Sequence, residues 1–279
     1  MYRFNELTNL NEDIFKRTIG ISRTHFEDLH FLVEQYIQES KEKNPMQKRG
    51  VSGELVLGDK LLLTLYYLRH YATFSVLGQR FGISESYANK IYHRISSILV
   101  KLLHVPGRQS LMDDKLECIL IDVSEQPIER PTKGQRAYYS GKKKQHTIKI
   151  QLIVCALTLQ ILCVDYAKGR THDFTLFKSS DLTIPSQVKK RLDLGYQGIQ
   201  KLHDNVCLPH KKPKGGALTS EQKKQNKQLS KERIFIEHVN RRCKIFRIVK
   251  ETYRGKHKNL AKTWNLIAGI VNLRYVGNL

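Results

Sequence analysis

Over the first hundred residues apolar side chains recur every three or four positions, the period of one helix face. Between His25 and Gln38 that stripe is Phe26, Leu29, Leu32, Val33 and Tyr36. A polar, Pro-containing stretch, Ser40 to Gly50, predicts a loop. Asp59 to His70 is apolar almost all round, which predicts the central helix of a small bundle. Thr73 to Gln79 and Glu85 to Ile98 then predict two short helices joined through Arg80–Ser84. Gly82 suits the left-handed conformation that ends the first, and Ser84 caps the second with Glu85 in its first turn. This is helix-turn-helix spacing, although ordinary bundles contain such corners too. If it reads DNA, the exposed part of the second helix, with Ser86, Tyr87, Asn89, Lys90 and His93, enters the major groove.

From about Lys115 the period becomes that of strands. Cys118–Val123 is a short apolar run ending at Asp122 and Val123, and His146 to Leu157 and Ile161 to Tyr166 are two longer runs. Gln135 to Lys144, with Ser140–Gly141 and three lysines, predicts an exposed hairpin. Shorter strands are expected at Val188 to Asp193 and Asn205 to Pro209, and a basic loop at Lys211 to Lys214. A long helix from Thr219 to about Val249 and an amphipathic one from Leu260 to Arg274 follow, with Trp264 on the core face beside Leu260, Ile267 and Val271. The predicted class is α/β: a mixed sheet flanked by helices, preceded by an all-helical region. The expected division is residues 1–110, with the helix-turn-helix at about 73–98, and residues 111–279.

With 279 residues, 40% hydrophobic and 27% charged, the composition is that of a globular protein of about two domains. No apolar run approaches the roughly 20 residues that span a bilayer, so membrane insertion is not expected. Met1 to Asn11 lacks an export leader, which predicts a cytoplasmic location. Five widely spaced cysteines without a Cys-x-x-Cys pair fit a reducing compartment and no structural zinc. The formal charge of +22 changes the picture more. Residues 1–50 hold 8 basic and 8 acidic side chains, whereas residues 201–279 hold 19 and 5. An excess concentrated in the C-terminal third argues for a polyanionic partner over a surface kept basic for solubility alone.

Three carboxylates stand out. Asp122 follows an apolar strand, where a charge is costly unless it faces an opening and binds something positive. Asp193 ends a second strand just before Leu194–Gly195–Tyr196, and Glu237 lies among Ile234, Phe235, Ile236 and Val239 in the long helix. Carboxylates from three elements suit hard divalent cations, and two such ions can activate an attacking oxygen and stabilise a leaving one in phosphoryl transfer. Taken singly, strand-end aspartates are also turn formers and helical glutamates surface pairs. Asp173 either approaches such a site with His172 or caps the helix that holds Phe174 and Phe177.

The stretches Asp122-Val-Ser-Glu-Gln-Pro-Ile-Glu-Arg-Pro131 and Tyr138-Tyr-Ser-Gly-Lys-Lys-Lys-Gln-His-Thr-Ile-Lys149 resemble the catalytic domain of bacterial insertion-sequence transposases of the DDE class, in the branch related to PIF/Harbinger elements. Gly169-Arg-Thr-His-Asp-Phe174 and Asp193-Leu-Gly-Tyr-Gln-Gly198 fit the same family, as do Arg233, Glu237 and Lys244 with the spacing of its tyrosine, arginine, glutamate, lysine signature. Ser230 stands where that tyrosine is expected, and Leu194 where a lysine often follows the second aspartate. The resemblance implies an RNase H-like catalytic core with Asp122, Asp193 and Glu237 as ligands of Mg2+, for which Mn2+ substitutes. It implies an enzyme that binds terminal inverted repeats of double-stranded DNA, frees 3′-hydroxyl ends and joins them to target DNA. Such an enzyme acts as a homo-oligomer in the bacterial nucleoid. Arg233, Lys244, Lys142, Lys143, Lys144 and Lys149 would hold phosphates, a plain Arg233–Glu237 salt bridge being the alternative for that pair. A DNA-binding protein without catalysis, and a nuclease that cuts without joining, are the rival readings.

Overall fold

The computed structural model describes residues 4–7, 9–43 and 55–275. The chain divides into two compact units, one reaching His104 and including Ile245–Ile248, the other comprising Val105–Lys244 and Val249–Tyr275. Among the described residues no helix is long and apolar enough to cross a membrane.

The first unit is helical: α1 (Phe4–Leu7), α2 (Glu12–Ile19), α3 (Arg23–Lys43), α4 (Leu57–His70), α5 (Phe74–Phe81) and α6 (Glu85–Leu102). α3 outruns its predicted end because Lys41, Glu42 and Lys43 are good helix formers, so the predicted loop does not begin at Ser40. The rest of that loop, 44–50, lies outside the described residues. α4 buries every residue from Leu61 to Leu68, which makes it the centre of the bundle. Phe15 and Phe26 meet edge to face at 5.9 Å, both fully buried. The segment Ile245–Ile248 supplies Phe246, whose ring lies 2.6 Å from where a Cβ on Gly20 would stand.

α5 and α6 form the expected corner. Thr73 and Ser84 cap them by accepting from the Val76 and Tyr87 amides, and Gly82 takes φ 66° between the two. Ser86, Lys90 and His93 are exposed on α6, while Tyr87 and Asn89 are half-buried. Arg94, one turn beyond Lys90, is exposed as well.

The second unit is built on a mixed sheet of β1 (Cys118–Pro127), β2 (Tyr139–Ser140), β3 (Gln145–Cys155), β4 (Ile161–Lys168), β5 (Lys189–Arg191) and β6 (Val206–Cys207). β3 lies antiparallel to both β1 and β4, whereas β5 runs parallel to β1 and β6 parallel to β5. The helices are α7 (Gln135–Tyr138), α8 (Asp173–Ser179), α9 (Ser220–Lys244) and α10 (Leu260–Asn272). Ile119, Ile121, Ile153 and Cys163 share one core cluster with Phe177, Leu192 and Tyr196. Side chains alternate across a strand, so Leu120, Asp122, Ser124 and Gln126 point to the opposite face. That face meets the C-terminal helices: Asn240 of α9 touches Asp122, and Trp264 of α10, wholly buried, donates its indole N–H to Gln126 Oε1 at 2.6 Å.

Three expectations change. β1 does not stop at Val123 but continues to Pro127, its polar residues finding partners within the fold, Glu125 in Thr147 of β3 and Gln126 in Trp264 of α10. Gln135 to Lys144 is a hairpin only in its second half: α7 comes first, and the turn spans Gly141 to Lys144 after β2. The long helix ends at Lys244, with a short 3-10 turn at Arg247–Val249. The cysteines are all free thiols.

Candidate active site

The parallel pairing of β1 and β5 builds the site. Leu120 stands opposite Arg191, the last residue of β5, and Asp193 follows two residues later, near enough to Asp122 for its charge to act on that carboxyl. The strand period of 2 puts the Asp122 side chain on the face of Leu120. β5 ends at Arg191, and beyond its carboxyl end the sheet opens as α/β sheets do where they bind ligands.

Asp122 is 18% exposed and is held from α9. Asn240 donates to its Oδ2 at 2.7 Å, and Arg233 approaches its Oδ1 at 3.5 Å. Burial pushes the Asp122 carboxyl up to about 6; Arg233 opposes that rise, and the negative charge of Asp193 adds to it. Asp193 accepts the Gly195 amide at 2.8 Å. The place a Cβ on Gly195 would occupy is 2.9 Å from Asp193 Oδ1 and 2.7 Å from Asp173 Oδ2, so these two carboxylates flank Gly195. Burial, together with Asp122, Asp173 and Asp193, raises the hydroxyl of Tyr196 well above its ordinary range, and the hydroxyl donates to Gln151 Oε1 at 3.2 Å. Lys244 is lowered by burial and by Lys143, against an upward pull from Asp122, so both lysines belong to the same field.

The structure thus brings together Asp122, Asp193, Arg233, Lys244 and Lys143. Glu237 is exposed, and the apolar surroundings expected for it do not form. The turn angle of α9 sends Ile236, Val239, Asn240 and Cys243 inward and leaves Ile234 and Phe235 44% and 47% exposed. Arg233 pairs with Asp122 and not with Glu237, which removes the plain helical salt bridge. Asp173 is not the cap of α8. His172 caps it through Nδ1, and Asp173 pairs with Lys149 at 2.7 Å. Lys149 is therefore turned inward, while Lys142 and Lys144 are exposed on the turn. Leu194 is 43% exposed beside Asp193, and Ser230 is exposed on α9.

Asn240 is a site residue that sequence reasoning missed. Its signal is an asparagine, a poor helix former, in the interior of a helix and seven residues after Arg233 on the same face. Its Oδ1 is buried without a partner, as is Arg233 Nε. The chemistry of the donor set fits a hard cation, since it is oxygen-rich and carries crowded negative charge beside Asp122. Even so, among the described residues no three His, Cys, Asp or Glu side chains stand close enough to hold one. Two of the three expected ligands are adjacent, and Glu237 is on the helix that carries both of the groups holding Asp122.

Residues 121–272 match the family model described as DDE superfamily endonuclease, and residues 53–104 match the helix-turn-helix of DDE superfamily endonuclease. The transposase named for insertion sequence element IS702 of Microchaete diplosiphon is 40% identical, over 92% of this chain and 93% of its own length. A transposase named for insertion sequence element IS112 of Streptomyces albus G is 25% identical over 73% of the chain and 75% of its own length. No solved structure matches. With its sheet domain and its helix-turn-helix both matched, the chain belongs to the DDE superfamily, the DNA-binding, nuclease-type transposases of insertion sequences.

Proposed function

We propose that this transposase binds the terminal inverted repeats of its own insertion sequence, cleaves the DNA to free 3′-hydroxyl ends and joins those ends to target DNA. The observation that carries this reading is the parallel pairing of β1 with β5, beyond whose end the charge of Asp193 acts on Asp122. The mixed sheet, with three antiparallel strands continued by two parallel ones, supports an RNase H-like core, residues 111–279 being the catalytic domain and residues 1–110 the DNA-binding one.

Asp122 and Asp193 would hold a divalent cation, Mg2+ or Mn2+, with Glu237 of α9 as the third ligand. When bound, such an ion supplies Lewis-acid stabilisation of the phosphate and a more acidic attacking water or hydroxyl. Asn240 and Arg233 keep the Asp122 carboxylate aimed. Lys244 and Lys143 provide positive charge for the scissile phosphate, and the turn lysines Lys142 and Lys144 contact phosphates further out. Ser86, Tyr87, Asn89 and Lys90 of α6 read the repeat from the major groove. Two ends must be held at once, so the active species is a homo-oligomer on DNA.

The test is cleavage of labelled duplexes covering the DNA on both flanks of the gene, with and without Mg2+ or Mn2+. Metal-dependent nicking at a repeat boundary, lost in Asp122→Ala, is the expected result. A second reading, a DNA-binding protein without catalysis, is favoured by the outward position of Glu237 and by Ser230 in place of the signature tyrosine. Specific binding by wild type with no nicking under either metal would establish it and refute the first.

A further inference from the structure

At the other end of β1 from its carboxylate neighbourhood, a concavity of about 580 Å³ is lined by Arg130, Arg136 and Arg170 together with Gln135, Tyr139 and His146. We infer that this pocket is a DNA backbone site, in which the three guanidinium groups clasp a phosphodiester away from the one being cut. The inference rests on the transposase reading above, which supplies the DNA.

The three arginines come from three separate segments. Arg130 follows β1, Arg136 belongs to α7, and Arg170 follows β4. Arg130 is steadied by donating from Nε to Gln135 Oε1 at 2.9 Å. Arg170 is placed by its backbone, its amide donating to Ala137 O at 3.1 Å while the Gly169 amide donates to Thr147 O at 2.9 Å. Only glycine fits at 169, because a Cβ would stand 2.6 Å from Tyr138 O and 2.7 Å from Thr147 O. The close approach of this turn to β3 is thus what carries Arg170 up to Arg136.

No carboxylate lines the pocket, and among the described residues none of the three arginines forms an ion pair. Like charges gathered in one concavity repel each other, and a fold that builds such a cluster leaves its charge available for an anion. Guanidinium groups match phosphate oxygens in geometry and bind them with charge-assisted hydrogen bonds. Tyr139, 42% exposed and edge-on to His146 at 5.7 Å, adds an aromatic wall for the adjoining sugar and base.

The strand also sets the spacing. The Ile128 amide donates to His146 O, so the His146 wall lies six residues along β1 from Asp122. At about 3.3 Å per residue that is roughly 20 Å. For a DNA strand laid along β1, advancing about 3.4 Å per nucleotide, the clasped phosphate is about six nucleotides from the cleaved one.

The test is fluorescence anisotropy of the full chain with an arbitrary duplex of about 30 base pairs across a range of salt. Arg136→Gln/Arg170→Gln removes two phosphate-binding cations, both exposed, and a matched thermal melt shows that the fold is intact. The expected result is weaker binding with a log K against log salt slope shallower by about 2, since each lost phosphate contact contributes about 0.9. An unchanged slope in the folded double variant overturns the proposal. On the flank duplex, a neutral methylphosphonate about six nucleotides from the mapped nick should weaken wild type and leave the double variant unaffected. An equal effect on both proteins overturns the assignment of that phosphate to this pocket. If wild type nicks nowhere, the catalytic reading and the six-nucleotide register fail together, while the salt slope still decides whether the pocket binds phosphate.

Discussion

Replacing Asp122 by asparagine should make the metal-free protein more stable at neutral pH while abolishing cleavage. The carboxyl is raised from its ordinary 3.8 to about 6, chiefly by burial. A raised acid favours its protonated form in the fold. Its contribution to stability is therefore fully present below the unfolded value and is lost as pH rises through about 6. At 1.36 kcal/mol for each unit of difference, holding the ionised group in the fold at pH 7 costs up to about 3 kcal/mol. Asparagine keeps the shape without the charge. Some of the gain is given back, since Arg233 loses an anionic partner, one of its nitrogens already being buried without a hydrogen bond. A net gain of about 1–2 kcal/mol is expected, or several degrees in Tm for a chain of this size. The assay is thermal unfolding of wild type and Asp122→Asn in EDTA at pH 7.5 and at about pH 4.5, where most of the penalty has gone. The variant should melt higher at neutral pH, and the gap should narrow in acid. A variant that melts lower at pH 7.5, or a gap that does not change with pH, would refute the claim that this carboxylate is held against its own desolvation.

Asp193→Ala and Glu237→Ala should each remove metal-dependent nicking while duplex affinity changes less than about threefold, because on the proposed reading they withdraw metal ligands and no DNA contact; gel shift beside a cleavage assay checks both at once. For Lys90→Ala/Arg94→Ala the reverse is expected, with loss of preference for the repeat over arbitrary DNA but retained nicking at high protein concentration, read by competition binding. Trp264→Phe should destabilise the chain by about 1–3 kcal/mol in denaturant unfolding, since it removes the 2.6 Å indole donor to the wholly buried Gln126; a loss below half a kcal/mol, roughly, would mean that the bond is dispensable.

What was legible in the sequence was whatever local periodicity and chain punctuation encode. The helix-turn-helix followed from Gly82 and Ser84, whose conformation and capping are set by their own neighbours. The three long strands followed from apolar runs, and Trp264 from helical spacing. Asp122 and Asp193 were legible as carboxylates at odds with apolar strands, but their adjacency depends on a parallel pairing between residues 71 positions apart, which no local pattern carries. β1 outruns its apolar run because Ser124 and Gln126, polar in sequence, are buried, Gln126 against Trp264 of α10. Glu237 has apolar chain neighbours, but α9 turns Ile236 and Val239 inward and leaves Ile234, Phe235 and Glu237 itself facing solvent. Asn240 carries no such signal, and for Asp173 the sequence leaves capping and approach to the site both open, because each owes its place to a partner on a different element, Asp122 in one case and Lys149 in the other.

Phe246 belongs to the helical unit although about 140 residues separate it from the end of α6. It is 1% exposed and packs against the turn at Gly20. Losing a buried phenylalanine costs about 3–5 kcal/mol, a large part of what holds a unit of this size together. A reading frame interrupted anywhere before codon 246 would therefore release not a free-standing repressor made of the first hundred residues but a fragment with an open core. Decayed copies of the element would fall to proteolysis sooner than compete for its ends, and a stable inhibitor would have to come from point changes in the carboxylates, with the chain kept whole.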